Sequence, residues 1–327
     1  MKAVLCRTLG SPAGLTLEEV PPPALTANQV RIRVHACGVN FPDVLMVAGR
    51  YQVQPPMPFS PGAEFSGEII EVGADCRSFR VGQRVLAISG FGGMAEEACV
   101  AERAVVAIPD EVEYVTAAGF LLAYGTAWHA LKQRAKLAPG ETLLVLGAAG
   151  GVGLAAVEIG KLMGARVIAA AGTGDKLRIA ARHGADDVVN YVEARLKDAV
   201  RDLTSNLGAD VIFDPVGGEL FDDCLRAVAW RGRILIIGFA SGTIQAIPAN
   251  LPLLKGSSLI GVFWGRFAEL EPELHRRNNA ELLAALGDGS LQPYIGRVLS
   301  LEQAGEAIQL LADRRATGKI VVRLRPD

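Results

Sequence analysis

The residues with the clearest chemical meaning are the small ones at positions 147–153, which read GAAGGVG. They follow a short apolar run at 141–146, typical of a buried strand, and open a stretch at 151–163 that predicts a helix. Small residues let a backbone approach a pyrophosphate, and a helix N-terminus offers N–H groups and a positive dipole end. The sequence therefore predicts a dinucleotide site formed by Gly147, Gly150, Gly151, Val152 and Gly153. The alternative is a glycine turn that serves only tight packing.

The end of the following strand indicates which dinucleotide is bound. An NAD site usually places Asp or Glu there, about 20 residues beyond the glycine motif, to bind the ribose 2′-OH. Here the strand at 166–171 ends without an acid, and Lys176 and Arg178 follow. A cation suits a 2′-phosphate through charge-assisted hydrogen bonds, so we predict NADPH. Asp175 stays open, either as a ribose ligand or as an ordinary first-turn helix residue.

The elements that must position these residues change character along the chain. Up to about residue 120, short alternating segments with glycine and proline turns predict a β-rich, barrel-like domain. From about 123, strands and helices alternate, which predicts an α/β fold with a doubly wound parallel sheet. The predicted strands are 141–146, 166–171, 187–191, 209–213, 233–238 and 258–263, and the helices are 151–163, 175–183 and 219–229. Later segments predict helices at 272–287 and 301–314 and strands at 294–299 and 319–324.

Composition limits the classes of partner. A chain of 327 residues exceeds one ordinary core, so two domains are expected. The 33 Lys and Arg nearly balance the 35 Asp and Glu, which disfavours nucleic acid and a membrane surface as partners. We expect no signal peptide and no transmembrane helix. The five scattered cysteines indicate a cytoplasmic protein with reduced thiols.

Four motifs together carry a family resemblance: GVNFPD at 38–43, PGAEFSG at 61–67, the glycine turn at 147–153 and RATGK at 315–319. On these motifs the chain resembles the medium-chain dehydrogenase/reductase superfamily, in its zinc-free quinone oxidoreductase (zeta-crystallin-like) branch. The resemblance implies a GroES-like catalytic domain of residues 1–122 and 266–327 and a Rossmann domain of residues 123–265. It also implies a homodimer joined edge to edge through the Rossmann sheets, with the strand at 258–263 at the interface.

The same resemblance bears on zinc. Zinc-dependent members place a Cys where this chain has Asn40, and Gly-His-Glu where it has Gly62, Ala63 and Glu64. The loop from Gly90 to Cys99 also lacks the four cysteines of a structural zinc site. Because a catalytic zinc needs three protein ligands, we expect no metal. Hydride addition to an already activated acceptor is then the accessible chemistry: a quinone, an α,β-unsaturated carbonyl or an enoyl thioester.

The resemblance also proposes catalytic residues in the first domain. Tyr51 matches a tyrosine thought to donate a proton in related enoyl-thioester reductases, although an aromatic plug in a proline-rich loop explains it equally well. Asn40 is a candidate to donate its amide to nicotinamide or substrate oxygen. Asp43 is a candidate to orient these groups.

Cofactor contacts carry over from the family by position. Lys176, Tyr191 and Arg315 match NADPH-binding residues, and Thr126 matches a position near nicotinamide. Tyr191 is alternatively a core aromatic, and Lys319 is either a cofactor ligand or a solvated strand-end charge. The stretch Phe263, Trp264 and Gly265 either lines the substrate cleft or packs in a core.

Three functions remain under consideration from the sequence. The first is an NADPH-dependent reductase of quinones or activated alkenes. The second is an enoyl-CoA or acryloyl-CoA reductase, which a basic entrance for the coenzyme phosphates would favour. The third is a non-catalytic, crystallin-like NADPH-binding protein.

Overall fold

The computed structural model describes residues 1–326. In chain order the strands are β1 (Lys2–Leu5), β2 (Thr16–Glu19), β3 (Gln29–Val39), β4 (Glu64–Val72), β5 (Arg84–Ile88), β6 (Glu97–Ala101), β7 (Val105–Ala107), β8 (Thr142–Leu146), β9 (Arg166–Ala171), β10 (Asp187–Asn190), β11 (Ala209–Asp214), β12 (Val228–Ile236), β13 (Ser258–Gly261), β14 (Ile295–Ser300) and β15 (Lys319–Arg323).

The α-helices are α1 (Phe41–Val47), α2 (Tyr114–Ala118), α3 (Leu121–Trp128), α4 (Gly151–Leu162), α5 (Gly174–Arg182), α6 (Leu196–Leu203), α7 (Leu220–Ala227), α8 (Asn250–Lys255), α9 (Trp264–Leu270), α10 (Pro272–Gly287) and α11 (Ala304–Ala312). Helix α3 continues as a π-helical segment, His129–Ala135. Within residues 1–326, none of the helices combines the length and apolar character needed to cross a bilayer.

Contacts divide the chain into two compact units. The first unit comprises Met1–Leu122 and the chain from Pro293 onward, and the second comprises Ala123–Gln292. The chain therefore enters the second unit between residues 122 and 123, and leaves it between residues 292 and 293. We call these places the first and second chain crossings.

The second unit contains the parallel sheet that the sequence predicts. Its strand order is β10-β9-β8-β11-β12-β13, and every neighbouring pair is parallel. Strand β8 pairs with β9 on one side and β11 on the other, so the strand order reverses there. Its residues from Leu143 to Leu146 are fully buried, as expected for a strand covered on both faces. Open α/β sheets bind ligands beyond the carboxyl end of the strand at such a reversal.

The first unit is β-rich, as predicted. A seven-stranded sheet runs in the order β14-β15-β3-β4-β5-β7, and β6 also pairs with β3. The long strand β3 alternates inward and outward residues, and Val30, Ile32 and Val34 are fully buried in the core of this unit. Strand β15 pairs antiparallel with β3, so the last part of the chain joins the middle of this sheet. The predicted α/β class with a Rossmann-type sheet and a β-rich domain is confirmed.

Residues 266–292 differ from the sequence expectation, which placed 266–327 in the catalytic domain. In the structure they belong to the second unit, and only the chain from Pro293 onward joins the first. The reason is local packing on the π-helical segment. The Phe267 ring stacks on His129 with centroids 3.9 Å apart, and Gln133 and Asn278 exchange amide hydrogen bonds of 3.1 and 3.3 Å.

Candidate active site

Strand pairing in the first unit brings three polar residues together. Asn40 directly follows β3, Glu64 begins β4 and Lys319 begins β15. Because β3 pairs with both β4 and β15, with Gly38 opposite Glu64 and Val39 opposite Ile320, the three side chains meet at one end of β3. All three are buried, and the Glu64 side chain is 0% exposed. Buried polar groups of this kind persist only when they are paired.

The Lys319 ammonium is the centre of this cluster. Its Nζ donates to Asn40 Oδ1, to the Val39 carbonyl oxygen at 3.3 Å and to Glu64 Oε2 at 3.4 Å. An ammonium has three hydrogens, so these acceptors satisfy it completely. The sequence left Lys319 as a cofactor ligand or a solvated charge. In the structure it is a buried cation paired with a buried carboxylate.

Both hydrogens of the Asn40 amide are used within the cluster. Its Nδ2 donates to the Gly38 carbonyl oxygen at 3.3 Å and to Glu64 Oε2 at 3.2 Å. Its Oδ1 accepts from Lys319. A side-chain amide carries two hydrogens, and this arrangement leaves neither to donate to a nicotinamide or substrate oxygen. The structure thus gives Asn40 an internal, positioning arrangement in place of the donor arrangement expected from the sequence.

Asp43 holds the backbone around Asn40. Its Oδ2 accepts from the Asn40 amide N–H at 2.8 Å and its Oδ1 from the Gly62 N–H at 3.0 Å. The first contact is half of a capping box, since Asn40 is the N-cap of α1 and Asp43 its third residue. Burial raises the pKa of Asp43 to about 6, against the lowering effect of these hydrogen bonds.

Glu64 links the cluster to the start of helix α3. Its Oε1 accepts from the Leu122 N–H at 2.7 Å, at the last residue before the first chain crossing. Burial raises the pKa of Glu64, and the neighbouring Lys319 charge acts in the opposite direction. The carboxylate is therefore held in place by one cation and two N–H donors.

The residues at the former metal positions do not fit a zinc ion. Asn40 and Ala63 stand where zinc-dependent members would supply Cys and His, and Glu64 already pairs with the Lys319 ammonium. A cation added beside Glu64 would face that ammonium. Within residues 1–326 no group of three or more His, Cys, Asp or Glu side chains is arranged to hold a metal ion.

Tyr51 lies in the first unit, half-buried against its apolar core. Burial raises the pKa of its phenol, and the Asp43 carboxylate acts in the same direction. The phenol therefore stays protonated near neutral pH. The half-buried position of Tyr51 agrees with an aromatic residue that packs against the core. Its protonated phenol also agrees with a proton donor.

In the second unit, the glycine turn has the tight geometry expected of a dinucleotide site. Gly147 has a φ of 56°, in the left-handed region that favours glycine. A Cβ atom on Gly153 would lie only 2.3 Å from the Gly147 carbonyl oxygen, so no side chain fits there. Helix α4 begins at Gly151, and the N–H groups of its first turn have no acceptor within the helix. The turn lies at the carboxyl end of β8, at the reversal of strand order.

Two predicted cofactor residues lie at the neighbouring strand end. Thr173 caps α5, and its hydroxyl accepts from the Lys176 N–H at 3.4 Å. The Tyr191 ring lies 3.3 Å from the position a Cβ on Gly172 would take, so Tyr191 covers the end of β9. Asp175 is exposed and its carboxylate pairs with Arg178 within the same helix. That pairing fits the helix-residue alternative for Asp175.

The other predicted residues are more scattered. Thr126 lies half-buried on α3 in the second unit, whereas Arg315 is exposed after α11 in the first. Trp264 packs in the second unit, since a Cβ on Gly125 would lie 2.8 Å from its indole, and Phe263 beside it is 56% exposed. The sequence did not single out Glu158 on α4, whose side chain is only 8% exposed. Its only signal is a single acidic residue in a mostly apolar helix.

Comparison with known proteins identifies families and relatives that this chain is similar to. The family model described as "Alcohol dehydrogenase GroES-like domain" matches residues 26–110, and the one described as "Zinc-binding dehydrogenase" matches residues 151–278. Quinone oxidoreductase-like protein 2 of Bos taurus is 42% identical over 99% of this chain and 93% of its own length. Human quinone oxidoreductase is 33% identical over 99% of this chain and 98% of its own length.

A solved structure agrees with these relatives. A mycobacterial protein solved in complex with NADPH is 30% identical and superposes with a TM-score of 0.93, covering 99% of this chain and 100% of that one. The family resemblance derived from the four motifs is therefore confirmed. The chain belongs to the medium-chain dehydrogenase/reductase superfamily, in its quinone oxidoreductase branch.

Proposed function

We propose that this chain is an NADPH-dependent reductase that transfers hydride to quinones or α,β-unsaturated carbonyl compounds without a metal ion. The observation that carries the proposal is the glycine turn at the reversal of strand order, beside a strand end that offers a lysine and no acid. The mycobacterial relative solved with NADPH supports the same cofactor.

Bound NADPH would supply the hydride. In this proposal the first-turn amides of α4, at Gly151, Val152 and Gly153, bind the pyrophosphate, and Gly147 and Gly150 keep the turn tight enough for its approach. Lys176 binds the 2′-phosphate and Tyr191 flanks the adenosine ribose. Thr126 and Arg315 are further cofactor ligands in this proposal, on the strength of the family resemblance.

In the first unit we assign Tyr51 as the proton donor to the reduced acceptor. Its raised phenol pKa keeps the proton in place until the acceptor has gained negative charge. Asn40 and Asp43 act by fixing the backbone at positions 40–43 and 62, because their side chains are fully engaged there. The pairing of the Lys319 ammonium with Glu64 is an argument for a reaction without zinc, because that carboxylate already has a cation as its partner.

The reaction is tested by following NADPH oxidation with 9,10-phenanthrenequinone, 2-alkenals and crotonyl-CoA. We expect turnover with the quinone or the alkenals. Turnover confined to crotonyl-CoA would instead identify an enoyl-thioester reductase. Tight NADPH binding with no turnover of any acceptor would contradict an enzymatic function and favour a cofactor-binding protein.

The cofactor assignment is tested by Lys176→Ala. Losing one or two charge-assisted hydrogen bonds to the 2′-phosphate should raise the KM for NADPH by roughly 10- to 100-fold and leave the KM for NADH nearly unchanged. Lys197→Ala, which removes a half-buried lysine on α6 of the same unit, is the matched control. Equal effects of Lys176→Ala on both cofactors would refute the role of Lys176 in binding the 2′-phosphate.

We also propose a homodimer joined through β13, the outer strand of the parallel sheet. Exposed apolar side chains near that edge support it: Trp230, Leu253 and Leu254. Light scattering should give twice the mass of one chain. The five unpaired cysteines support the expected cytoplasmic location.

A further inference from the structure

The Glu158 carboxylate collects three donors from separate parts of the second unit. Glu158 lies on α4, two turns after Gly151, and its side chain is 8% exposed. Its Oε2 accepts from the Tyr124 hydroxyl at 2.8 Å and from the Gln292 N–H at 3.0 Å, and its Oε1 lies 2.5 Å from His183 Nδ1. Three donors satisfy a buried carboxylate well.

Two of these donors lie at the chain crossings. Tyr124 is the second residue of the second unit, and Gln292 is its last. Tyr124 and Gln292 are 168 residues apart in sequence (292 − 124), yet both donate to the same side chain. The third donor, His183, is the C-cap of helix α5, whose first turn carries Lys176. Glu158 thus joins both crossings to the two helices that carry the predicted phosphate ligands.

We propose that Glu158 is a positioning residue that anchors both chain crossings to the helix beginning at the glycine turn. The Tyr124 hydroxyl is a dependable donor, because burial raises its pKa well above the usual 10 and the Glu158 charge acts in the same direction. On the other side of the first crossing, Glu64 accepts from the Leu122 N–H within the first unit. The first crossing is therefore held by a buried carboxylate on each side, and Glu64 also belongs to the Asn40–Lys319 cluster.

The expected effect of Glu158 on turnover rests on the proposed function, since Glu158 lies on the helix that is assigned to bind the pyrophosphate. Glu158 lies two turns from the first-turn amides, so its loss should leave NADPH binding nearly intact. Loosened crossings should instead disturb the geometry of reaction, for which small misplacements have large effects on rate. The signature of such a residue is a lowered kcat with an almost unchanged affinity for NADPH.

The anchoring itself is tested on the cofactor-free protein by amide hydrogen exchange. Glu158→Gln should accelerate exchange in peptides covering 119–126 and 289–294, by about tenfold or more, the factor expected for losing a hydrogen bond to a charged group. Tyr124→Phe should accelerate only the peptide at 119–126. His183→Ala, the matched control, removes a donor that lies at neither crossing and should accelerate neither peptide.

Kinetics supply the second readout. We expect Glu158→Gln to lower kcat roughly tenfold and to change the dissociation constant of NADPH by less than about twofold. Unaltered exchange at both crossings, the same pattern in His183→Ala, or an unaltered kcat would each overturn the proposal. If Glu158→Gln does not fold, the contrast between Tyr124→Phe and His183→Ala still decides it. Failure of the wild type to bind NADPH would contradict the proposed function alone, because the exchange measurements do not use the cofactor.

Discussion

Replacing Lys319 with Met tests whether its ammonium holds the Asn40–Glu64 cluster together. The substitution keeps an apolar stem of similar length and removes the charge that faces Glu64 Oε2 at 3.4 Å. Glu64, which is 0% exposed, would then keep a buried carboxylate without a cation. Breaking a buried ion pair by removing one partner costs about 3–5 kcal/mol. Because the Leu122 and Asn40 N–H groups still bind the carboxylate, we expect about 3 kcal/mol, at the lower end of that range.

Two further variants separate loss of the charge pair from loss of packing. Glu64→Gln combined with Lys319→Met removes both charges, and neutral replacement of a whole buried pair is often tolerated. The double variant should therefore be about 2 kcal/mol more stable than Lys319→Met alone. Arg166→Met is the control, because its pair with Asp187 is partly exposed and should contribute about 1 kcal/mol or less.

The measurement is the free energy of unfolding from urea titrations followed by far-UV circular dichroism, with hydrogen exchange of the β3 and β15 peptides as a local readout. The difference in free energy of unfolding between the wild type and Lys319→Met should become smaller as the pH falls. Burial raises the pKa of Glu64, removal of the Lys319 charge raises it further, and protonation then neutralises the unpaired carboxylate. A cost below about 1 kcal/mol at pH 7, or a double variant no more stable than the single one, would refute this reasoning.

The remaining predictions concern the neighbouring Asp43 and Tyr51. Burial raises the pKa of Asp43 from 3.8 to about 6, so its contribution to stability is present at low pH and is lost as the pH rises through 6. From pH 7 to pH 5 the wild type should gain about 1.4 kcal/mol relative to Asp43→Asn in urea titrations, and a constant difference would contradict the raised pKa. Tyr51→Phe should lower turnover of 2-alkenals by roughly 100-fold and of quinones much less, because quinol oxygens exchange protons readily with water. Unchanged alkenal turnover would exclude Tyr51 as the donor.

Much of the fold was predictable because its signals are local. The apolar run before the glycine turn, predicted as a strand at 141–146, corresponds to β8. The next strand was predicted at the bounds of β9, 166–171. Helix α6 was missed because it is only eight residues long and half of them are charged. The helix predicted at 219–229 ends at Ala227, because Val228 already pairs with Ala209 in the parallel sheet. Such pairing between distant segments leaves no mark in the periodicity.

The candidate site likewise contains residues that local motifs predict and residues that only long-range pairing brings together. The glycine turn, Lys176, Asn40 and Asp43 belong to local motifs, and each was singled out from the sequence, whereas the capping box between Asn40 and Asp43 was not predicted. Lys319 pairs with Glu64 across 255 residues, and only the order of strands β15, β3 and β4 brings them together. Glu158 escaped notice because a single acid in a helix ordinarily faces solvent, whereas here it meets donors from three distant segments.

The discontinuous first unit has a consequence for synthesis on the ribosome. Glu64 emerges 255 residues before Lys319, which is roughly 13–50 s at bacterial and eukaryotic elongation rates. Residues 123–292 are complete during that interval and can fold as a unit, whereas β3 still lacks its partner β15. The Asn40–Glu64–Lys319 cluster therefore closes only after Lys319 has left the ribosome. The nascent protein can thus fold its nucleotide-binding sheet before it completes this cluster.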